Sequence, residues 1–195
     1  MNEQPHTPEH GKRCMLTRAV SLHKGVLPPL EGYAQDEWEG SEHWPRTPVL
    51  HIAATSEKII DLFRELLDPL GDDVRVFLKT QHGCYGHKMR QAMRGSIERI
   101  VLESTILDYE DFLLHDGWSS IAVQDLASTI EVRLPQSKMM VVYARQCDPF
   151  VDTLHRFDLH RLPTCPDLLP GQYGCTSEKC FEDQFEEICS DLEAD

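Results

Sequence analysis

The residues best suited to chemistry lie in one short stretch, Gln81 to Lys88, which holds two histidines and two glycines. It leads from a predicted strand towards a predicted helix. Glycines let the backbone approach a ligand closely, and the free N–H groups of a helix N-terminus favour anions. We therefore predict a loop that binds a phosphate, a carboxylate or an acidic peptide. Its candidate residues are Lys79, His82, Gly83, Gly86, His87, Lys88, Arg90 and Arg94.

The charge pattern supports this prediction and offers an alternative to it. The whole chain of 195 residues carries a net charge of −14, yet residues 75–99 carry a net charge of +5 and residues 163–195 a net charge of −8. Such an overall charge argues against a protein that binds nucleic acid or an anionic membrane over its whole surface. The alternative is that the basic residues are solvated, or pair with the acidic tail.

Cys84 lies between the two histidines and is a candidate reactive thiol, because a nearby imidazolium lowers the pKa of a cysteine. No family signature surrounds it. The chain also lacks the G-x-S-x-G, H-E-x-x-H and G-x-G-x-x-G motifs. We therefore predict no catalytic residue, and the protein is not expected to be an enzyme.

Four cysteines near the C-terminus are weak candidates for metal ligands: Cys165, Cys175, Cys180 and Cys189. Nine, four and eight residues separate them, whereas structural zinc sites usually contain closely spaced pairs. We predict neither a metal site nor a cofactor. Free thiols are favoured by the odd total of seven cysteines, and a Cys165–Cys175 or Cys175–Cys180 disulfide is the alternative in an oxidising compartment.

The elements that must position these residues indicate an α+β fold, with a mixed sheet of about five strands covered by helices. A variant of the ferredoxin-like plait is one form that it could take. Residues 49–54 and 74–79 read as strands around a helix, either as parallel neighbours or with another strand between them. The spacing of Met89, Met93 and Ile97 predicts a helix after the loop, and a strand over 97–102 is the competing prediction.

Three segments follow from this pattern: an irregular N-terminal arm over 1–47, the α+β domain over 48–162, and an acidic tail over 163–195. The tail contains an amphipathic helix. Because a short isolated helix is marginal in water, its apolar stripe is expected to dock on its own domain or on a partner. The stripe consists of Phe181, Phe185, Ile188 and Leu192.

These observations favour a non-catalytic binding or regulatory module that acts through a protein partner or self-association. A binder of small anions, or an enzyme, that uses the 82–88 loop is the second hypothesis, and a zinc-stabilised accessory protein is the third. Nucleic acid is not an expected partner. The N-terminus lacks the apolar centre of a secretory signal, and no apolar run is long enough to span a membrane, so we expect a cytoplasmic protein.

Overall fold

The computed structural model describes residues 11–40, 46–84 and 88–195. The strands of this part are β1 (Val20–Leu22), β2 (Gly32–Trp38), β3 (Thr47–Ala53), β4 (Asp73–Thr80), β5 (Arg90–Glu98), β6 (Ser119–Asp125), β7 (Glu131–Leu134), β8 (Met140–Tyr143) and β9 (Tyr173–Cys175). The helices are α1 (Ile59–Glu65), α2 (Arg99–Asp108), α3 (Glu110–His115), α4 (Asp148–Arg156) and α5 (Cys180–Asp191). No helix among these described residues is both long and apolar enough to cross a bilayer.

The predicted α+β class is confirmed, but the sheet is larger than expected. Seven strands of the described chain form one sheet in the order β2-β3-β8-β7-β6-β4-β5, and every neighbouring pair is antiparallel. The prediction of a mixed sheet of about five strands is corrected in this respect. The ferredoxin-like variant is not confirmed.

The two strands around α1, β3 and β4, run in the same direction without being neighbours. The strands β8, β7 and β6 lie between them, joined to one another as an antiparallel meander. The alternative prediction of an intervening strand therefore describes the sheet better than that of adjacent parallel strands. An antiparallel meander needs only short connections, whereas each parallel pair needs a crossover.

The segment after the loop is a strand first and a helix second. Residues 90–98 form β5 beside β4, with Ala92 opposite Leu78, and α2 begins at Arg99. The apolar residues spaced four apart are compatible with either structure. Pairing with the long strand β4 decides between them, because it buries Ala92 against the core.

The predicted irregular arm contributes a strand to the main sheet. β2 pairs with β3 over its whole length, and Tyr33 opposite Ile52 is buried on the helix-covered side. The backbone N–H of Leu162 donates to the carbonyl of Tyr33, so the chain after α4 also lies along this edge. The strand was missed because its outer half, Gln35–Glu37, is polar and exposed.

The core lies between one face of the sheet and the five helices of the described residues. Phe63 of α1, Phe112 of α3 and Phe150 of α4 pack there against strand residues such as Leu50 and Val76. The apolar stripe of α5 belongs to the same core, where Phe181, Phe185, Ile188 and Leu192 are all buried. The tail helix thus docks on its own domain.

The opposite face of the sheet is covered only at one end within the described ranges. There β1 and β9 form a separate two-stranded sheet from segments near the two ends of the chain. Ala19, Val20 and Leu168 form its small core, and Cys14 packs on Ala53 and Met139 nearby. The remaining part of this face, which we call the open face, is accessible to solvent.

Candidate ligand-binding cleft on the open sheet face

The residues of the open face are placed there by simple strand alternation. In β4 the side chains of Val74, Val76 and Leu78 are buried towards the helices. Arg75, Phe77 and Lys79 therefore project from the opposite side, because successive side chains of a strand alternate between faces.

The centre of the open face is hollow because β6 carries small side chains there. Ala122 lies between Arg133 of β7 and Phe77 of β4, and Ser120 lies beside Lys79. The longer neighbours rise on both sides of these short ones and leave a cleft of about 770 Å³. Such a volume matches the pockets of about 300–1,000 Å³ that hold small molecules in proteins.

Aromatic rings form the wall of the cleft towards β8 and β2. The ring centroids of Trp38 and Tyr143 are 6.3 Å apart, with the rings edge to face. The guanidinium carbon of Arg133 lies 4.6 Å from the centre of the Tyr143 ring, which is a cation–π contact. Together with Phe77 these rings offer flat apolar surface beside positive charge.

Positive charge exceeds negative charge in the lining, where three cationic side chains face one carboxylate. Glu131 pairs with Arg133, and although burial favours the neutral form, this hydrogen bond raises the pKa of Arg133. Arg75 donates from Nη1 to Oε1 of Gln124 at 3.3 Å, and its Nε is buried with no hydrogen-bond partner in the described structure. Within the described ranges, neither Arg75 nor Lys79 forms an ion pair. These two cations are available to an anion.

The cleft is lined by groups that can bind a ligand, namely cations, amides and aromatic rings. Among the described residues, the lining contains no cysteine or histidine, and its hydroxyl groups belong to Ser120 and Tyr143. The one carboxylate in this described lining, that of Glu131, is engaged by Arg133. The arrangement suits recognition of an anion next to a flat group.

The loop predicted from the sequence is organised differently from the cleft. His82 is buried, and its Nε2 lies 3.0 Å from Oδ2 of Asp116 and 3.2 Å from Oγ of Ser177. Gly83 adopts a φ of 67° and packs near Glu182. Gly86 and His87 lie outside the described residues. The His82 side chain is thus engaged in contacts with Asp116 and Ser177 inside the protein.

The basic candidates of that loop are not gathered around one point. Lys79 lies on the open face, whereas Arg90 and Arg94 project to the helix-covered side of β5. There Nη1 of Arg90 lies 2.5 Å from Glu186, and Nη1 of Arg94 lies 2.7 Å from Glu193. Lys88 is exposed. The acidic end of the chain thus pairs with two of the predicted anion-binding residues.

The cysteines of the described chain are all free thiols. Cys84 is half-buried in the loop, Cys180 is exposed, and Cys189 is buried on the apolar side of α5, where burial raises its pKa to about 11. Among the described residues, the four tail cysteines do not come together as one set of metal ligands. Only Cys165 lies in a group of potential ligands, with His51 and Asp167.

Sequence reasoning found Arg75 and Lys79 as part of the basic segment but missed the rest of the cleft. The available signal was the alternation within β4 and β6, which places Phe77, Ala122 and Gln124 on a single face. What the sequence lacks is the order of the strands. Without it, Trp38 and Tyr143 cannot be placed on the same wall.

Comparison with known proteins adds no further constraint, since no family model, curated protein or solved structure matches the chain.

Proposed function

We propose that the protein is a non-catalytic binding module whose open sheet face binds a small anionic ligand that carries a flat ring. The observation that carries this proposal is the cleft itself, in which Arg75 and Lys79 lie beside Phe77 without a carboxylate partner among the described residues. The predicted anion site is thereby moved from the 82–88 loop to the neighbouring face of β4.

The anion preference follows from local charge. The chain as a whole is strongly acidic, so a bound anion meets repulsion everywhere except at a basic surface. Within the cleft, the donors of the Arg75 guanidinium have no carboxylate partner among the described residues, and a hydrogen bond to a charged group contributes about 1.5–3 kcal/mol. An anion bound at Arg75 would use these donors, and Lys79, four residues further along β4, adds positive charge to the same face.

The preference for a ring follows from the aromatic wall of the cleft and from its floor on β6. Aromatic side chains pack well against planar ligands, and the small side chains of Ser120 and Ala122 leave room for such a ligand to lie flat on β6. The partner protein expected from the sequence stays a prediction, because the cleft favours a ligand of small size.

Calorimetric titration of the full chain with three probes tests the proposal. Adenosine monophosphate carries both a ring and a dianion, adenosine carries only the ring, and inorganic phosphate only the charge. We expect adenosine monophosphate to bind more tightly than either of the others, and its binding to weaken as salt is added, since salt screens exposed charges.

Two results would contradict the proposal. One is the absence of binding by all three probes at millimolar concentration. The other is equal affinity for adenosine and its monophosphate, which would remove the role of the cations.

A further inference from the structure

A second group of side chains lies on the same face of the sheet, away from the cleft. His51 is in the middle of β3, and its Nδ1 lies 2.6 Å from Oδ2 of Asp167. Asp167 and Cys165 belong to the irregular segment 163–169 that crosses over β3. One potential ligand atom from each of the three residues lies within 4.8 Å of the other two.

We propose that His51, Cys165 and Asp167 form a binding site for a divalent transition-metal ion of the zinc class. An imidazole nitrogen, a thiolate sulfur and a carboxylate oxygen are the donors that zinc takes in proteins. All-oxygen sites select magnesium or calcium, whereas sites that contain nitrogen and sulfur donors select zinc and related transition metals. The mixed set therefore fits zinc or cobalt.

An unpaired oxygen in the group points independently to a missing ligand. Oδ1 of Asp167 is buried and has no hydrogen-bond partner in the described structure. Buried polar atoms are almost always paired, so an orphan beside a histidine and a cysteine marks a position for a bound group. A cation next to this oxygen would satisfy it.

Asp36 of β2 carries a further carboxylate near the group. It lies two residues from Ala34, which pairs with His51, and it interacts electrostatically with both His51 and Cys165. Asp36 and Cys165 also line a common small cleft of about 380 Å³. The three residues of the group would supply three ligands of a four-coordinate zinc, and the fourth position would be left to a water or, after a side-chain movement, to Asp36.

Only small movements are needed to reach metal geometry. Ligand bonds of about 2.0–2.3 Å place tetrahedral ligand atoms about 3.3–3.8 Å apart. His51 and Asp167 would separate slightly from their hydrogen-bonded distance, and the exposed side chain of Cys165 would turn inwards. Leu168 is buried beside Ala19 and Val20, and this contact holds the segment 163–169 in position while the ligand side chains move.

The same three residues do not suit a nucleophilic thiol. Partial burial raises the pKa of Cys165, and although a backbone hydrogen bond from Asp167 opposes this shift, the charges of Asp167 and Asp36 add to it. An activated cysteine requires the opposite shift, normally from a nearby cation. A metal ion would supply that cation and hold the sulfur as a thiolate.

Such a metal would fasten the segment 163–169 onto β3. It would act independently of the cleft, since Val141 of β8 lies between His51 and Arg133 in the register of the sheet. The proposal therefore does not depend on the ligand of the cleft.

Titration of the chelator-treated full chain with Co²⁺, which replaces zinc and reports its ligands by absorption, tests the proposal. We expect one ion per chain, a sulfur-to-cobalt charge-transfer band, and loss of the spectrum when Zn²⁺ displaces Co²⁺. Cys165→Ser should abolish the band and weaken binding at least tenfold, and His51→Gln should also weaken it. Cys180→Ser, a change at another exposed cysteine, should leave band and affinity unchanged.

Circular dichroism checks that Cys165→Ser still folds. The variant should retain the wild-type spectrum, because the Cys165 side chain is exposed and is not needed for folding. Absence of Co²⁺ binding to the wild-type chain would overturn the proposal. So would a charge-transfer band that survives in Cys165→Ser but disappears in Cys180→Ser.

Discussion

Small side chains decide where this protein has room for a ligand. Ala122 and Ser120 are short residues on a strand whose cross-strand neighbours include Arg133, Phe77 and Lys79. Had β6 carried long side chains at these two positions, the open face would be filled. The cleft is therefore a consequence of residue size at the centre of the sheet, combined with charge on its flanks.

Filling the floor should remove binding without unfolding the protein. We expect Ala122→Leu to weaken binding of adenosine monophosphate at least tenfold, because the added side chain occupies the space proposed for the ring. Since Ala122 faces the cleft rather than the helix-covered core, the melting temperature should change little. The control is Ala127→Leu in an exposed loop, which should bind like the wild type. Unchanged calorimetric affinity in Ala122→Leu would place the ligand elsewhere.

Lys138 is an unusual residue in the loop between β7 and β8. It is buried, its φ is 60°, and its Nζ donates to the carbonyl of Ser119 at 3.3 Å. Burial lowers its pKa to about 8, although the nearby Asp116 opposes this shift. The protonated form is thus disfavoured by folding.

The stability of the protein should reflect this shift. Between the folded pKa of about 8 and the ordinary lysine pKa of 10.5, the unfolded chain holds the proton of Lys138 more tightly than the folded chain does. The contribution of Lys138 to the free energy of unfolding therefore rises with pH across this window. Thermal melts at several pH values should show the wild type gaining stability relative to Lys138→Met from pH 8 to 10.5. A constant difference would be inconsistent with a depressed pKa.

At the scale of elements, α5 is held by its apolar stripe more than by its charges. Ile188 is fully buried, whereas the ion pairs of Arg90 with Glu186 and of Arg94 with Glu193 are partly exposed. Exposed ion pairs contribute about 0–1 kcal/mol, far less than a buried aliphatic side chain. The acidic tail is accordingly part of the core, and its pairing with β5 is secondary.

Two substitutions on this helix should differ strongly in effect. Ile188→Ala should lower the free energy of unfolding by about 2–5 kcal/mol, because it leaves a cavity in the core. Glu186→Gln should lower it by less than about 1 kcal/mol. Equilibrium urea unfolding measures both, and a larger loss in Glu186→Gln would mean that charge holds the helix in place.

Local sequence patterns predict the strands β3 and β4, the helix α1 between them and the tail helix α5, because apolar residues form a continuous run in β3 and recur at a regular spacing in the others. The spacing of Met89, Met93 and Ile97 predicts a helix after the loop, and only pairing with β4 reveals the strand β5. The cleft could not be predicted from the sequence for a related reason. Its lining comes from six strands, β2, β4, β5, β6, β7 and β8, whose order is set by long-range pairing.

At the scale of the whole molecule, β1 and β9, which are far apart in the sequence, pair with each other and cover part of the sheet. Gly117, at the start of β6, is the point of closest approach. Its N–H donates to the carbonyl of Thr176 at 2.9 Å, and a Cβ at this position would lie 2.3 Å from the carbonyl oxygen of Ala19. The second layer thus requires a glycine at Gly117.

Gly117→Ala should separate this layer from the sheet. We expect a loss of about 1–3 kcal/mol and faster amide hydrogen exchange in β1 and β9 than in the main sheet. Gly95→Ala is the matched control, since no atom lies within 4 Å of its added Cβ, and it should change stability by about 0.5 kcal/mol or less. Equal exchange in the wild type and Gly117→Ala would contradict the close approach.

The net charge of −14 conceals a division of basic residues between two faces of one hairpin. Arg90 and Arg94 are paired with the acidic tail, whereas Arg75 and Lys79 face the cleft without such partners among the described residues. Proximity in sequence therefore does not predict equal availability. The cations of the open face are the ones that can recognise a separate anion.

The most direct test of this division uses two variants, Arg75→Gln and Arg90→Gln, which remove the same charge from opposite faces of the hairpin. Calorimetry compares their affinities for adenosine monophosphate. The account predicts a loss of about tenfold or more in Arg75→Gln, as expected for one charged hydrogen bond. Arg90→Gln should bind like the wild type, because Glu186 occupies that guanidinium. A loss in Arg90→Gln with none in Arg75→Gln would contradict the account and return the site to the loop.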